Sequence, residues 1–342
     1  MSRTVNVLAA PDMTPPVVTL VGSGVIDIEY GNSYTENGAN WTDNVDGSGF
    51  IPTATSGSVN TGALGTYILE YSYTDGAGNS GSVSRTVNVV DTTAPVVTLS
   101  GPATINIEYG NSYTELGASW TDLYDGAGSI PSATSGSVNT GALGTYTLEY
   151  TYTDISGNTG TTTRTVTIVD TTAPVVTLSG SASVNIEYGT DYTENGANWT
   201  DIYDGSGTLS GPYSGSVNTG ALGTYTLDYR YVDSAGNTGS VSRTVNVVDT
   251  TAPVVTLIGS GVVAILSGTI FSDSGAIWVD LHDGAGSIPS YNSGTLDVNT
   301  VGTYTIEYTY ADISGNTGAT ARVVQVLPVP DTIPPVMTLS GS

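Results

Sequence analysis

The sequence predicts an all-β chain of four tandem Greek-key β-sandwich domains arranged as a rod. Three observations predict it. The four tryptophans, Trp41, Trp120, Trp199 and Trp278, fall 79 residues apart each time. The motif Asp-Thr-Thr-Ala-Pro recurs at Asp91, Asp170 and Asp249 with the same spacing, and weaker copies start at Asp12 and Asp331. Within one period, short runs alternate apolar and polar residues between turns rich in Gly, Asn, Asp and Ser, and no run has a helical period.

The elements of the second period justify the reading in order. Val96-Val97-Thr98-Leu99 is a short apolar strand behind a proline. Ile105, Ile107 and Tyr109 alternate with Asn106 and Glu108, the period of a half-buried strand. Ala118-Ser119-Trp120-Thr121 is a third strand. Tyr146, Leu148, Tyr150 and Tyr152 alternate with Thr147, Glu149, Thr151 and Thr153. The turn 154–158 leads into a last strand ending at Val169. About seven short strands in roughly 80 residues around a central Trp suit a small sandwich.

The periods place domains at 12–90, 91–169, 170–248 and 249–330. Residues 1–11 read as the last strand of a preceding repeat, since Ser2–Val7 repeats Ser84–Val89 and Ser242–Val247. Residues 331–342 read as the first strand of a following one. The chain is therefore expected to be one stretch of a longer array, and Met1–Val5 reads as strand, not as a signal peptide.

Composition excludes several functions. Six Lys or Arg face 31 Asp or Glu, a net charge of −25, and all six bases are Arg. Nothing here could neutralise phosphates, so no nucleic-acid partner is expected. There is no cysteine, so neither disulfides nor thiolate metal sites are available. His282 is the only histidine. No apolar run reaches the roughly 18 residues of a membrane span. A core this small per domain calls for an added staple, which leaves metal or neighbour contacts.

The acids occupy fixed positions. Glu36, Glu115, Glu194 and Asp273 follow an aromatic residue and Thr or Ser. Asp43, Asp122, Asp201 and Asp280 end the Trp strand, and Asp46, Asp125, Asp204 and Asp283 come three residues later. Asp75, Asp154, Asp233 and Asp312 open the last hairpin, each with an Asn four residues on: Asn79, Asn158, Asn237 and Asn316. On a sandwich, both loops fall at the pole where the domain begins, beside linker residues Asp12, Asp91, Asp170 and Asp249. Unpaired carboxylates brought together there repel and are expected to raise one another's pKa. Several hard oxygens are what Ca²⁺ takes, so these residues are its candidate ligands at the junctions. The other reading is that Asp in turns hydrogen-bonds local backbone. Glu29, Glu108 and Glu187 precede the three short linkers and are expected to reach across and complete the shell; the fourth repeat has Leu266 there. The Arg on each last strand is expected to pair with acids of the Glu149 type.

Asp-Thr-Thr-Ala-Pro-Val-Val-Thr-Leu, Tyr-Thr-Glu-x-Gly-Ala-x-Trp-Thr-Asp-x-x-Asp-Gly, Gly-Thr-Tyr-x-Leu-x-Tyr and Asp-x-x-Gly-Asn together resemble bacterial immunoglobulin-like (Ig-like) repeats of the hyalin-repeat-like group. The resemblance covers essentially the whole chain. It implies tandem Ig-like domains in a secreted or surface-anchored protein, often an adhesin or stalk. The linkers are similar in logic to cadherin junctions, where calcium stiffens a string of domains.

The expected function is thus an extracellular or cell-surface structural region, a calcium-rigidified stalk or filament. At about 3.3 Å per strand residue, four domains would span on the order of 150 Å. Its expected partners are neighbouring repeats, like chains in a filament, or a host or surface ligand. The alternative is an array of carbohydrate- or protein-binding modules. Catalysis is not expected, because the same carboxylate pair recurs in all four repeats.

Overall fold

The structure is a computed structural model and describes residues 1–6 and 8–338. It divides into two compact units, the first ending at Asp170 and the second beginning at Thr171. Each unit holds two copies of one sandwich.

In the first copy β1 (Val17–Leu20), β3 (Ala39–Asp43) and β4 (Gly47–Ile51) form an antiparallel sheet in the order β1-β3-β4. The second sheet is built from β2 (Val25–Glu29), β5 (Gly65–Thr74) and β6 (Ser80–Val90) in the order β2-β6-β5, with β2 parallel to β6. The second copy repeats this with β7 (Val96–Leu99), β8 (Thr104–Glu108), β9 (Ala118–Asp122), β10 (Gly126–Ile130), β11 (Gly144–Thr153) and β12 (Thr159–Val169). The third runs through β13 (Val175–Leu178), β14 (Ser183–Glu187), β15 (Ala197–Asp201), β16 (Gly205–Leu209), β17 (Gly223–Val232) and β18 (Thr238–Val248). The fourth has β19 (Val254–Leu257), β20 (Val262–Leu266), β21 (Ala276–Asp280), β22 (Gly284–Ile288), β23 (Ser293–Gly294), β24 (Gly302–Ala311) and β25 (Thr317–Leu327).

Among the described residues the seventh strand expected per repeat is a true strand only as β23. Elsewhere it shrinks to a bridge, such as Ser135 to Glu149. Residues 1–6, 8–11 and 331–338 lie in no sheet. Val7 and residues 339–342, which belong to the strands expected at 1–11 and 331–342, lie outside the described residues.

The core of each repeat sits between its two sheets. In the second it comprises Ala118, Ile130, Leu148, Tyr150, Val166 and Ile168. Trp120 stacks on Tyr152 with ring centroids 3.7 Å apart and packs over Gly128, where a Cβ would stand 2.7 Å from the indole Nε1. Only glycine leaves room for that ring.

The Arg expectation needs correcting. Arg164 pairs in register with Leu148, a core residue, so the side-chain alternation of β12 turns the guanidinium inward. Glu149 lies opposite Thr163, points the other way and accepts from Ser135 Oγ at 2.9 Å. Arg164, fully buried, binds Glu115 Oε1 at 2.9 Å, Tyr150 Oη at 3.0 Å and the carbonyls of Ser100, Pro102 and Gly117. Arg85–Glu36, Arg243–Glu194 and Arg322–Asp273 repeat the pair. Burial pushes the Glu115 carboxyl up, but hydrogen bonds from Tyr150 and Gly117 and the Arg164 charge outweigh it and hold the group below the usual range. One of the four recurring acids is therefore a core ion pair.

Candidate metal centres at the linkers

The site builds up from two loops. After β9, Asp122 Oδ1 accepts the backbone N–H groups of Tyr124 at 2.7 Å and Asp125 at 2.9 Å, closing a tight Asx turn. Asp125 reaches the other hairpin, its Oδ2 accepting Ile155 N at 2.8 Å. There Asp154 Oδ1 accepts Asn158 N at 2.7 Å, and Asp154 Oδ2 accepts Asn158 Nδ2 at 2.9 Å. The same Nδ2 donates to the Asp91 carbonyl at 3.1 Å, which draws the linker onto the loops. As a result one carboxylate oxygen from each of Asp91, Asp122 and Asp154 lies within 4.8 Å of the others.

Asp12, Asp43 and Asp75 converge in the same way in the first repeat, and Asp249, Asp280 and Asp312 in the fourth. Asn79 and Asn316 tie the carbonyls of Asp12 and Asp249. In the third repeat Asp201 Oδ1 accepts Tyr203 N and Asp204 N, Asp204 holds Ser234 N, and Asn237 binds Asp233. Asp170 closes the first unit.

These contacts sort the expected ligands. The amides of Asn79, Asn158, Asn237 and Asn316 donate to the hairpin Asp, so their nitrogens position carboxylates. Asp46, Asp125, Asp204 and Asp283 each hold the opposite hairpin by a backbone N–H. The expected rise in carboxyl pKa is not found at Asp75. Burial pushes that group up, but hydrogen bonds from Asn79, Ala77 and Gly78 outweigh it and hold it below the usual range.

The triads also fit a cation by what they leave unmet. Among the described residues, Oδ2 of Asp43, Asp91 and Asp201 is buried with no hydrogen-bond partner. A buried carboxylate oxygen without a donor is costly, and a cation supplies the missing charge. The donors are all oxygen, the chemistry Ca²⁺ takes.

Glu29 and Glu187 do reach the following linker, but they bind its Thr-Thr pair and stand outside the triads. Glu29 accepts Thr92 N at 3.0 Å, Thr93 N at 3.1 Å and both threonine hydroxyls at 2.7 Å. Glu187 holds Thr250 and Thr251 through the same four donors. These bonds, led by the Thr93 hydroxyl for Glu29 and the Thr250 N–H for Glu187, hold both carboxyls at about 2. Glu108 lies in register with Val169 at the end of the first unit. Leu266, exposed at the equivalent place, has no carboxylate to make such a clasp. A signal for it was present in the sequence: the linker after Leu266 reads Asp331-Thr332-Ile333, losing the second Thr together with the Glu.

A comparison with known families matches the description "Bacterial surface protein, Ig-like domain" to residues 18–89, 97–168, 176–247 and 255–326. Among curated proteins, Hyalin of Strongylocentrotus purpuratus is 33% identical over 98% of this chain and 29% of its own length. Hyalin of Lytechinus variegatus is 29% identical over 98% of this chain and 66% of its own length. The chain thus spans less than two thirds of the relatives it matches. Among solved structures, a Ca²⁺-stabilised adhesin with which an Antarctic bacterium binds ice is 14% identical, covering 93% of this chain and all of that one. Its TM-score is 0.22, an overlap that bears no weight on function. Among the described residues no helix is long and apolar enough to cross a membrane. Four matches, one to each repeat, mean that the chain belongs to the bacterial surface protein Ig-like domain family.

Proposed function

We propose that the chain is a structural region of an extracellular or cell-surface protein of the adhesin type, a stalk or filament segment whose junctions are stiffened by Ca²⁺. Its partners are then the neighbouring repeats, with like chains or a surface ligand beyond them. The observation that carries this reading is the convergence of linker, Trp-strand and hairpin carboxylates with buried oxygens that no donor meets. Asp12, Asp43 and Asp75, then Asp91, Asp122 and Asp154, then Asp249, Asp280 and Asp312 would hold the ions, with carbonyls and water completing the shell. An ion that joins linker to loops orders a segment that must otherwise hold three repelling charges together.

Family membership and the repetition of one site in successive domains support a structural role over catalysis. The alternative of carbohydrate-binding modules draws no support from the tryptophans, whose rings stack on tyrosine and pack over glycine. Thermal melting and small-angle scattering of the chain, with Ca²⁺ and with chelator, test the proposal. A higher melting temperature and a longer, stiffer particle with Ca²⁺ are expected. Identical curves in both conditions would refute it.

A further inference from the structure

The fourth repeat carries the chain's only histidine, His282, where the second and third have Tyr124 and Tyr203 and the first has Val45. Its ring stands as the tyrosine ring of the second repeat stands. Tyr124 meets Tyr30 edge-on, with centroids 5.0 Å apart and planes at 72°. His282 meets Tyr188 at 4.8 Å and 79°. The repeat fixes where the ring sits, and the sequence changes only its chemistry.

That change brings a nitrogen to two carboxylates. His282 Nδ1 lies 2.8 Å from Asp283 Oδ1 and 3.8 Å from Asp249 Oδ2. One ligand atom from each of the three residues lies within 4.8 Å of the other two. Both aspartate side chains are 3% exposed and the imidazole 24%. Each carboxylate is also anchored, Asp283 by Ile313 N at 2.7 Å and Asp249 by Ser314 Oγ at 2.9 Å.

We propose that Asp249, His282 and Asp283 form a metal site distinct in chemistry from the aspartate triads, one that takes a transition ion such as Zn²⁺. An imidazole nitrogen suits zinc, whereas Ca²⁺ draws its shell from oxygens. Zinc binds His nitrogen at about 2.0–2.1 Å and carboxylate oxygen at about 2.0–2.2 Å, so tetrahedral donors stand about 3.3 Å apart. The separations of 2.8 and 3.8 Å lie on either side of that value. The neutral ring ligates through Nδ1 with its proton on Nε2. Three protein ligands leave the fourth position to water or to a donor from another molecule. The site shares Asp249 with the calcium reading but depends on His282, which that reading does not use.

Equilibrium dialysis of the untagged full chain against Zn²⁺, with and without saturating Ca²⁺, tests this. The wild-type chain is expected to take one equivalent at micromolar free Zn²⁺, and His282→Gln is expected to fall to background while keeping its circular dichroism. Co²⁺ in place of Zn²⁺ should give visible d–d absorption that the same substitution removes. Tyr124→His sets an imidazole beside Asp91 and Asp125 and should raise the uptake to two equivalents. A wild-type chain that takes up no zinc, binding that survives His282→Gln, or one equivalent in Tyr124→His would each overturn the proposal. Zinc uptake without calcium uptake would refute the calcium reading and leave this one standing; calcium uptake without zinc would do the reverse.

Discussion

Replacing Asp43 by Asn separates the charge of one triad from its geometry. Asp43 Oδ1 accepts the N–H groups of Val45 and Asp46 at 2.8 Å, and an amide oxygen can accept both in the same way. The buried Oδ2 without a partner becomes an NH₂ group beside the oxygens of Asp12 and Asp75. Because the three oxygens lie within 4.8 Å of one another, unit charges at that separation repel by about 0.9 kcal/mol per pair at the dielectric constant of water. The substitution deletes two of the three pairs, about 1.7 kcal/mol, or on the order of 20-fold in the folded-to-unfolded ratio. In low-salt chelator the variant should therefore be more stable than the parent. With calcium the sign reverses. A site bathed in free ion at about 100 times its dissociation constant stabilises the fold by about 2.7 kcal/mol, and loss of a carboxylate forfeits most of that. Hydrogen exchange read by mass spectrometry on peptides of the first repeat measures both arms. The two proteins should exchange places between chelator and calcium. A variant that is less stable than the parent in chelator, or that gains as much from calcium, would refute the reasoning.

Three further outcomes follow from the geometry. Glu115→Ala leaves the fully buried Arg164 without its countercharge and should cost about 3–5 kcal/mol, seen as early unfolding of the second repeat in urea. Gly128→Ala sets a methyl 2.7 Å from Trp120 Nε1 and should cost about 1–3 kcal/mol through overpacking, with a shift in tryptophan fluorescence. The Glu29 clasp has a carboxyl held at about 2 against an ordinary value of 4.5. Its contribution is complete above about pH 4.5 and is lost as the pH falls toward about 2, so Thr92 and Thr93 amide shifts should titrate across that window and stay flat in Glu29→Gln.

Much of this could be read from the chain. The 79-residue spacing of tryptophan and the period-two runs place the strands, and the recurring Asp–Asn pairs of the last hairpin point to the linker. What could not be read was how acids divide among partners, because every Asp or Glu in a repeat looks alike in one dimension. Glu115 lies 49 residues from Arg164, and only the loop that passes from β8 in one sheet to β9 in the other brings them together. The inward turn of that arginine was nonetheless implicit, since Arg164 alternates in step with Val166 and Ile168 on the last strand. The clasp was missed for a different reason. In the sequence Glu29 reads as a ligand by its charge, while its strongest donors are the uncharged Thr92 and Thr93, which nothing in one dimension ties to it.

The linker at Asp91 is therefore held from both sides before any ion binds. Glu29, from the repeat before it, takes the N–H and hydroxyl groups of Thr92 and Thr93. Asn158, from the repeat after it, takes the Asp91 carbonyl. Hydrogen bonds of this kind are directional, so they set where the linker lies. The aspartate triad beside them adds repulsion that a bound cation would relieve. Under the calcium reading the ion then acts on a linker already placed, and its removal should loosen the junction without detaching it. The linker that follows Leu266 lacks the first of these two ties, and the Ile333 side chain there offers no hydroxyl to replace it. At Leu266 and Ile333 both halves of the clasp, the carboxylate and the second threonine, are replaced together, so the tie that places the Asp91 linker has no counterpart there.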